Sequence, residues 1–242
     1  MSSSPMDKFG PYVKALRSLE DDNRLRGLNS RAGIDFSSND YLALASASRM
    51  KKAVLAAIER GTPLGSGGAR LLRGNCEEHE CLEAEAAQFF GAETALFFAS
   101  GYVANFAVLT TLPQRGDLLV LDSLVHASIH EGARAARAEF RIAGHNDLGV
   151  IESAIRDWRA DGGMGRVWIV AESLYSMDGD FAPSMIWSRS PIATRLSWSL
   201  TRPMLPAFTV SRAEVSPATT VTVKISWLYI PAARRWEWRE RS

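Results

Sequence analysis

The chain has 242 residues, 46% of them apolar and 23% charged, with a formal net charge of +1. Those values describe a globular protein with apolar mass for a sizeable core, and they exclude the basic footprint of a binder of nucleic acid or anionic membrane. Two cysteines, no apolar run of the roughly 18 residues a membrane span needs, and an N-terminus Met1–Pro5 without an apolar signal segment predict a soluble, cytoplasmic protein.

In chain order, residues 6–26 place Phe9, Val13, Leu16 and Leu19 at helical spacing and predict an amphipathic helix. A short strand follows over Gly33–Ser37 and a helix over Met50–Arg60. Thr62–Asn75 is a glycine-rich loop, succeeded by a helix from Glu77 to Phe90. A regular alternation then begins. Strands are predicted at Ala95–Ala99, Asp117–Asp122, Glu139–Ala143 and Arg166–Glu172, and the helices that separate them at Val103–Leu112, Ala127–Ala138 and Leu148–Ala160. Strands that are unbroken apolar runs, such as Leu118–Leu121 and Val167–Val170, suit a sheet covered on both faces. The alternation predicts an α/β fold with a mostly parallel sheet flanked by helices.

The pattern stops at Ser184. From there to Ser242 the chain has no Gly, Asp or Asn, five of its seven Trp, and a charge of +6 against −5 for residues 1–183. Turns rely on Gly, Asn and Asp for left-handed backbone and local caps, so a stretch lacking all three predicts an irregular tail. Pro191, Pro203, Pro206, Pro217 and Pro231 interrupt it at short intervals. Thr219–Ile230 is its most strand-like piece. Limited proteolysis is expected to remove residues 184–242 first and leave a core near 1–183; a tail that resists protease, with amides exchanging as slowly as those of Val167–Ala171, would contradict this.

Several residues could carry chemistry. Glycines in Gly65–Gly68 would let backbone N–H groups approach an anion, though neither a Walker loop nor a full dinucleotide fingerprint is present, and a plain turn has an equal claim. Cys76, His79 and Cys81 are soft ligands without the second cluster that zinc requires. His126 stands just beyond the carboxyl end of a predicted strand, where α/β proteins place ligands; His130 belongs on the surface. Ser100, Gly101 and Tyr102 open a helix directly after a strand and offer an anion site. Ser176, after the strand that ends at Glu172, can reach the same sheet edge, or can simply cap a turn.

Taken in order, these pieces resemble the α-oxoamine synthases, a branch of the fold-type I pyridoxal-phosphate enzymes. The matching stretches are FSSNDYL at Phe36–Leu42, GSGG at Gly65–Gly68, Gly74-Asn75 with His79 and Leu82-Glu83, and SGY at Ser100–Tyr102 with Ala104-Asn105. They continue with Asp122 and the HAS of His126–Ser128, HND at His145–Asp147, and SMDGD at Ser176–Asp180. The first two are worded most like the 8-amino-7-oxononanoate synthases; another α-oxoamine synthase, such as a glycine C-acyltransferase, is the alternative.

The resemblance implies a partial fold-type I major domain over residues 61–183, preceded by an N-terminal arm and helices over 1–60. It implies pyridoxal 5'-phosphate as cofactor and a homodimer. It further implies decarboxylative condensation of L-alanine with a pimeloyl thioester in biotin biosynthesis. His126 would stack on the cofactor ring, Ser100, Gly101 and Tyr102 would contact it, and Ser176 would bond its phenolic oxygen. Arg24, or Arg26, would meet the acyl substrate's carboxylate.

The family continues with a DEAH-type strand end and a Schiff-base lysine in a GKA context. This chain has no Asp after Asp180, no His after His145, and only Lys8, Lys14, Lys51, Lys52 and Lys224, none in that context. Codons that take the last base of one residue and the first two of the next can turn Leu200–Val210 into DEAHATGVYG and Tyr229–Glu237 into HTCGKALG. A one-base deletion near codon 184 is therefore expected, making residues 184–242 an out-of-frame tail and the literal polypeptide a non-catalytic remnant.

Overall fold

The computed structural model describes residues 9–28, 33–34, 38, 40, 43–90, 92–172, 174–175 and 177–183, and the backbone of three further strands within 194–227. The chain divides into two compact units, Met1–Ser38 and Asn39–Ser242.

The first unit contains helix α1, Gly10–Asp21, with a proline in its first turn, where a fixed φ suits the helix and no N–H is needed. The helix ends at Asp22. Asn23 then takes a left-handed φ of 54°, which Asn tolerates better than most residues, and the amides of Arg24 and Leu25 return to the Leu19 carbonyl at 2.7 and 2.9 Å. Of the strand predicted at Gly33–Ser37, residues 35–37 lie outside the described residues.

In the second unit, α2 spans Ser48–Glu59 and α3 Glu77–Phe90. Then follow strand β1, Thr94–Phe98, helix α4, Gly101–Thr111, β2, Leu118–Asp122, and α5, Ala127–Ala135. β3, Glu139–Ala143, α6, Leu148–Ala160, and β4, Val167–Glu172, complete the alternation. Helix α5 stops three residues short of the predicted Ala138. Ala136 is already extended, because the chain must reverse before β3 begins beside β2.

The α/β architecture predicted from the alternation is present. β2 lies between β3 and β4 and is parallel to both, with Asp122 opposite Ala143 and Leu121 opposite Val170. Every residue of β2 and β4 is buried, which accounts for their unbroken apolar runs. The largest apolar cluster joins these strands to Leu109 of α4, Ile129 of α5 and Ile151, Ile155 and Trp158 of α6. Each fully buried Leu or Ile contributes about 1.5–3 kcal/mol.

Residues 184–242 were expected to be irregular, yet three segments in them pair into the same sheet. β5, Thr194–Ser199, runs parallel to β4. β7, Val223–Trp227, runs parallel to β5 and lies within the strand-like piece Thr219–Ile230; β6, Ala207–Ser211, is antiparallel to β7 and to β1. The sheet order is β1-β6-β7-β5-β4-β2-β3. Ladder pairing uses backbone N–H and C=O groups, so open edges on β1 and β4 can recruit extended segments with little regard to side-chain period. The remaining tail residues lie outside the described residues.

Two antiparallel steps, β1 to β6 and β6 to β7, restore the direction of β1 to that of β7, β5, β4 and β2. The carboxyl ends of β1, β2, β3 and β4 therefore point to one edge, and α4 and α5 both start there. These helices cross closely at Gly132: a Cβ on it would lie 2.9 Å from Leu109 Cδ1 and 3.1 Å from Leu109 Cβ. Such contacts need a neighbour to shift.

Candidate active site

Two helix N-termini meet at this edge. Ser100 is the N-cap of α4 and its Oγ accepts the Val103 N–H at 3.3 Å. Gly101 and Tyr102 belong to the first turn, whose amides have no acceptor inside the helix. His126 is the N-cap of α5. Its Nδ1 accepts the Ser128 N–H at 3.1 Å and lies 2.7 Å from Ser128 Oγ. Buried Asn105, one turn into α4, donates Nδ2–H to Ser128 Oγ at 2.7 Å. That bond ties the start of α4 to the start of α5, so the structure brings Ser100, Gly101, Tyr102 and His126 to one end of the fold.

His126 is exposed. Partial burial of the ring lowers its pKa below the ordinary 6.5, and the Ser128 N–H on Nδ1 selects the tautomer with its proton on Nε2. The ring is thus a neutral, oriented aromatic plane. Its own backbone N–H donates to Glu172 Oε1 at 2.6 Å. Glu172 closes β4 and is 1% exposed. Burial raises this carboxyl to about 7, assisted by the charge of Asp122 and opposed by the His126 N–H.

A second set of bonds surrounds Asp122 at the end of β2. It accepts from the Leu124 amide at 2.8 Å, the Asn146 amide at 2.7 Å and His145 Nδ1 at 2.9 Å, while His145 Nε2 lies 2.8 Å from Asp180 Oδ2. Burial works against a charged His145, but its bonds to Asp122 and Asp180 prevail and raise its pKa.

Glu172 is a residue of this edge that the sequence motifs do not single out for a role. The available signal was a carboxylate ending an apolar strand. Ser176 lies outside the described residues. Arg24 and Arg26 are exposed and follow α1 in the other unit. The glycine-rich loop is well braced: Arg70 forms a two-pronged ion pair with Glu83, which also accepts the Phe97 amide at 2.8 Å. Ser66 Oγ reaches the carbonyls of Gly68 and Gly74 at 2.8 and 3.0 Å. Cys76 Sγ and His79 Nδ1 approach to 2.9 Å, but no three potential metal ligands cluster among the described residues. No helix among the described residues is long and apolar enough to cross a membrane.

Comparison with known proteins agrees with this architecture. The family model described as "Aminotransferase class I and II" matches residues 31–188. The 8-amino-7-oxononanoate synthase of Geobacter sulfurreducens is 45% identical over 147 residues, 60% of this chain and 36% of the relative. That of Emericella nidulans is 40% identical over 194 residues, 76% of this chain and 47% of the relative. The chain thus spans less than half the length of these curated relatives. Among solved structures, serine palmitoyltransferase of Sphingomonas wittichii superposes with a TM-score of 0.66 at 25% identity, covering 82% of this chain and 53% of that one. The Francisella tularensis 8-amino-7-oxononanoate synthase gives 0.52 at 27%, covering 69% and 45%. The chain belongs to the aminotransferase class I and II family.

Proposed function

We propose that residues up to about 183 are the front part of an 8-amino-7-oxononanoate synthase, which condenses L-alanine with a pimeloyl thioester and releases carbon dioxide. The observation that carries this reading is the imidazole of His126, oriented by Ser128 at the start of α5, on the carboxyl edge of the sheet where α4 also begins. The named relatives, at 40–45% identity, point to the same chemistry.

The residues present fit pyridoxal 5'-phosphate. His126 offers a flat face for an aromatic ring, and the amides of Gly101 and Tyr102 suit an anionic group at a helix start. Among the described residues, the buried Oδ1 of Asn105 has no hydrogen-bond partner, as expected where a polar ligand completes a site. When bound, pyridoxal phosphate supplies an electron sink for the carbanion formed at the amino-acid Cα. His126 would stack on the ring, Ser100, Gly101 and Tyr102 would position the cofactor, and Ser176 would donate to its phenolic oxygen. Arg24, with Arg26 as the second choice, would hold the acyl carboxylate. The partner would be a second copy of the full-length protein, and the compartment the cytoplasm.

The lysine that this chemistry requires would be encoded in the shifted frame, by a codon straddling Ala233 and Arg234. Resequencing the locus around codon 184 tests that directly; an uninterrupted frame encoding the same tail would refute the deletion. Restoring one base should give a protein with a single borohydride-reducible lysine adduct and alanine-dependent oxoamine formation. In that protein, His126→Ala is expected to weaken pyridoxal-phosphate binding and slow turnover by about tenfold or more each. No change in either removes His126 from the site.

A further inference from the structure

The stretch after β4 forms a small closed loop. Leu174 and Phe181 make an antiparallel bridge, the Tyr175 amide donates to the Asp180 carbonyl at 2.9 Å, and the Gly179 amide donates to the Tyr175 carbonyl at 2.9 Å. Tyr175 packs into the apolar core beside β2 and β4, and among the described residues two adjacent residues of the β3–α6 turn make polar bonds to this loop. His145 spans Asp122, at the end of β2, and Asp180, in the loop, at 2.9 and 2.8 Å. Asn146 donates Nδ2–H to Asp180 Oδ2 at 2.8 Å and to the Phe181 carbonyl at 3.3 Å. The ring of buried Tyr175 meets the His145 imidazole edge-on, with centroids 4.4 Å apart and planes at 89°.

We propose that His145 is a positioning residue, a two-ended clamp between Asp122 and Asp180 that fixes the chain between Leu174 and Phe181 at the carboxyl edge of the sheet. The functional weight of the clamp rests on the reading of that edge as a pyridoxal-phosphate site. Both ring nitrogens face carboxylates, so both bonds form fully only when both nitrogens carry hydrogen. A neutral imidazole donates at one end and turns a lone pair toward a carboxylate at the other; at Nε2 the Asn146 Nδ2–H, 3.1 Å away, can donate to that lone pair, but the bond to Asp180 is lost.

The groups facing His145 are Asp122 from β2, and Asp180 and Tyr175 from the loop. The Tyr175 phenol stays protonated, because burial and the nearby Asp122 carboxylate raise its pKa. The two carboxylates therefore set the behaviour. His145's pKa is raised from the ordinary 6.5, so the clamp is complete below that value and loosens as pH rises through the raised one. A purely steric role would show no such dependence.

The test uses the 242-residue chain. Hydrogen exchange is followed by mass spectrometry on peptides covering 174–183, with β2 and α6 as references, and the His145 ring proton is titrated by NMR. In the parent, exchange at Tyr175 and Gly179 should accelerate as pH rises through the His145 titration, beyond the intrinsic pH effect seen in the references. His145→Ala should open the loop about tenfold or more at low pH while β2 stays protected, and added imidazole should restore part of the protection. The near-isosteric Asp180→Asn should lower the His145 pKa and flatten the pH profile, and it supplies the test should His145→Ala not fold.

Unchanged loop exchange in His145→Ala, or an unchanged pH profile in Asp180→Asn, overturns the clamp. Equilibrium dialysis with pyridoxal phosphate separates the two claims. Loosening with several-fold weaker binding supports both, whereas loosening with unchanged binding supports the clamp and counts against the cofactor reading.

Discussion

Replacing Asp117 by alanine is expected to destabilise the chain by on the order of 3–5 kcal/mol. The carboxylate is 7% exposed and accepts three hydrogen bonds: from the Arg166 amide at 2.8 Å, the Trp168 indole at 2.9 Å and the Gln114 amide at 2.9 Å. Alanine removes the acceptor and leaves the three donors behind, two of them at the entry to β4. An unsatisfied buried donor costs about 1–3 kcal/mol, and relaxation or a water recovers part of the sum. Because a domain holds only about 5–15 kcal/mol in total, the urea midpoint should fall by a large fraction. The double change Asp117→Ala with Trp168→Phe should cost less than the two singles added, since one orphaned donor leaves with the indole. A loss below about 1 kcal/mol for Asp117→Ala, measured by urea unfolding, would show that these bonds do not hold the start of β4.

Glu172→Gln should act in the opposite direction, and only above a certain pH. The folded chain holds this carboxyl at about 7 against an ordinary 4.5, so the folded state binds the proton more tightly than the unfolded state. Below 4.5 the group is protonated in both states and its contribution is intact. Between 4.5 and 7 the unfolded chain ionises freely while the folded one resists, and stability is lost as pH rises. The full loss above 7 is roughly 3 kcal/mol. Glutamine keeps an oxygen to accept the His126 amide but carries no charge. The variant should therefore match the parent near pH 4.5 and exceed it by roughly 3 kcal/mol at about pH 8.5. Taking the difference between the two proteins cancels His145 and most other groups common to both. A difference in unfolding free energy that does not change with pH would refute the assignment.

Element by element, legibility followed the local signal. α3, β3 and α6 occupy the spans that periodicity predicts, because each is bounded by residues that cannot continue it or by a strong cap, as where Asp147 accepts the Val150 amide at 3.0 Å at the start of α6. α5 was overestimated, because Ala135–Ala138 has good helix propensity and only the need to enter β3 ends it. β5 and β6 were illegible, since their pairing depends on edges that other elements leave open. His126 was readable from its place after β2. Glu172 was not, because what distinguishes it is a bond to an amide 46 residues away. The His145 clamp was half legible. Its members fall within family motifs, but the contacts join residues 23 and 35 positions apart, a separation that neither helical nor strand period encodes.

Gly132 lies six residues beyond His126, and opposite it is Leu109, seven beyond Tyr102. Neither touches the carboxyl edge, yet their contact sets how closely the axes of α4 and α5 approach. Two rigid rods crossing at a fixed point behave as a pair of callipers: any thickening at the pivot is transmitted to the jaws. The jaws here are the first turn of α4 and the imidazole that begins α5. The width of the mouth between them is gauged from inside the protein, by a residue whose whole contribution is the methyl group it lacks.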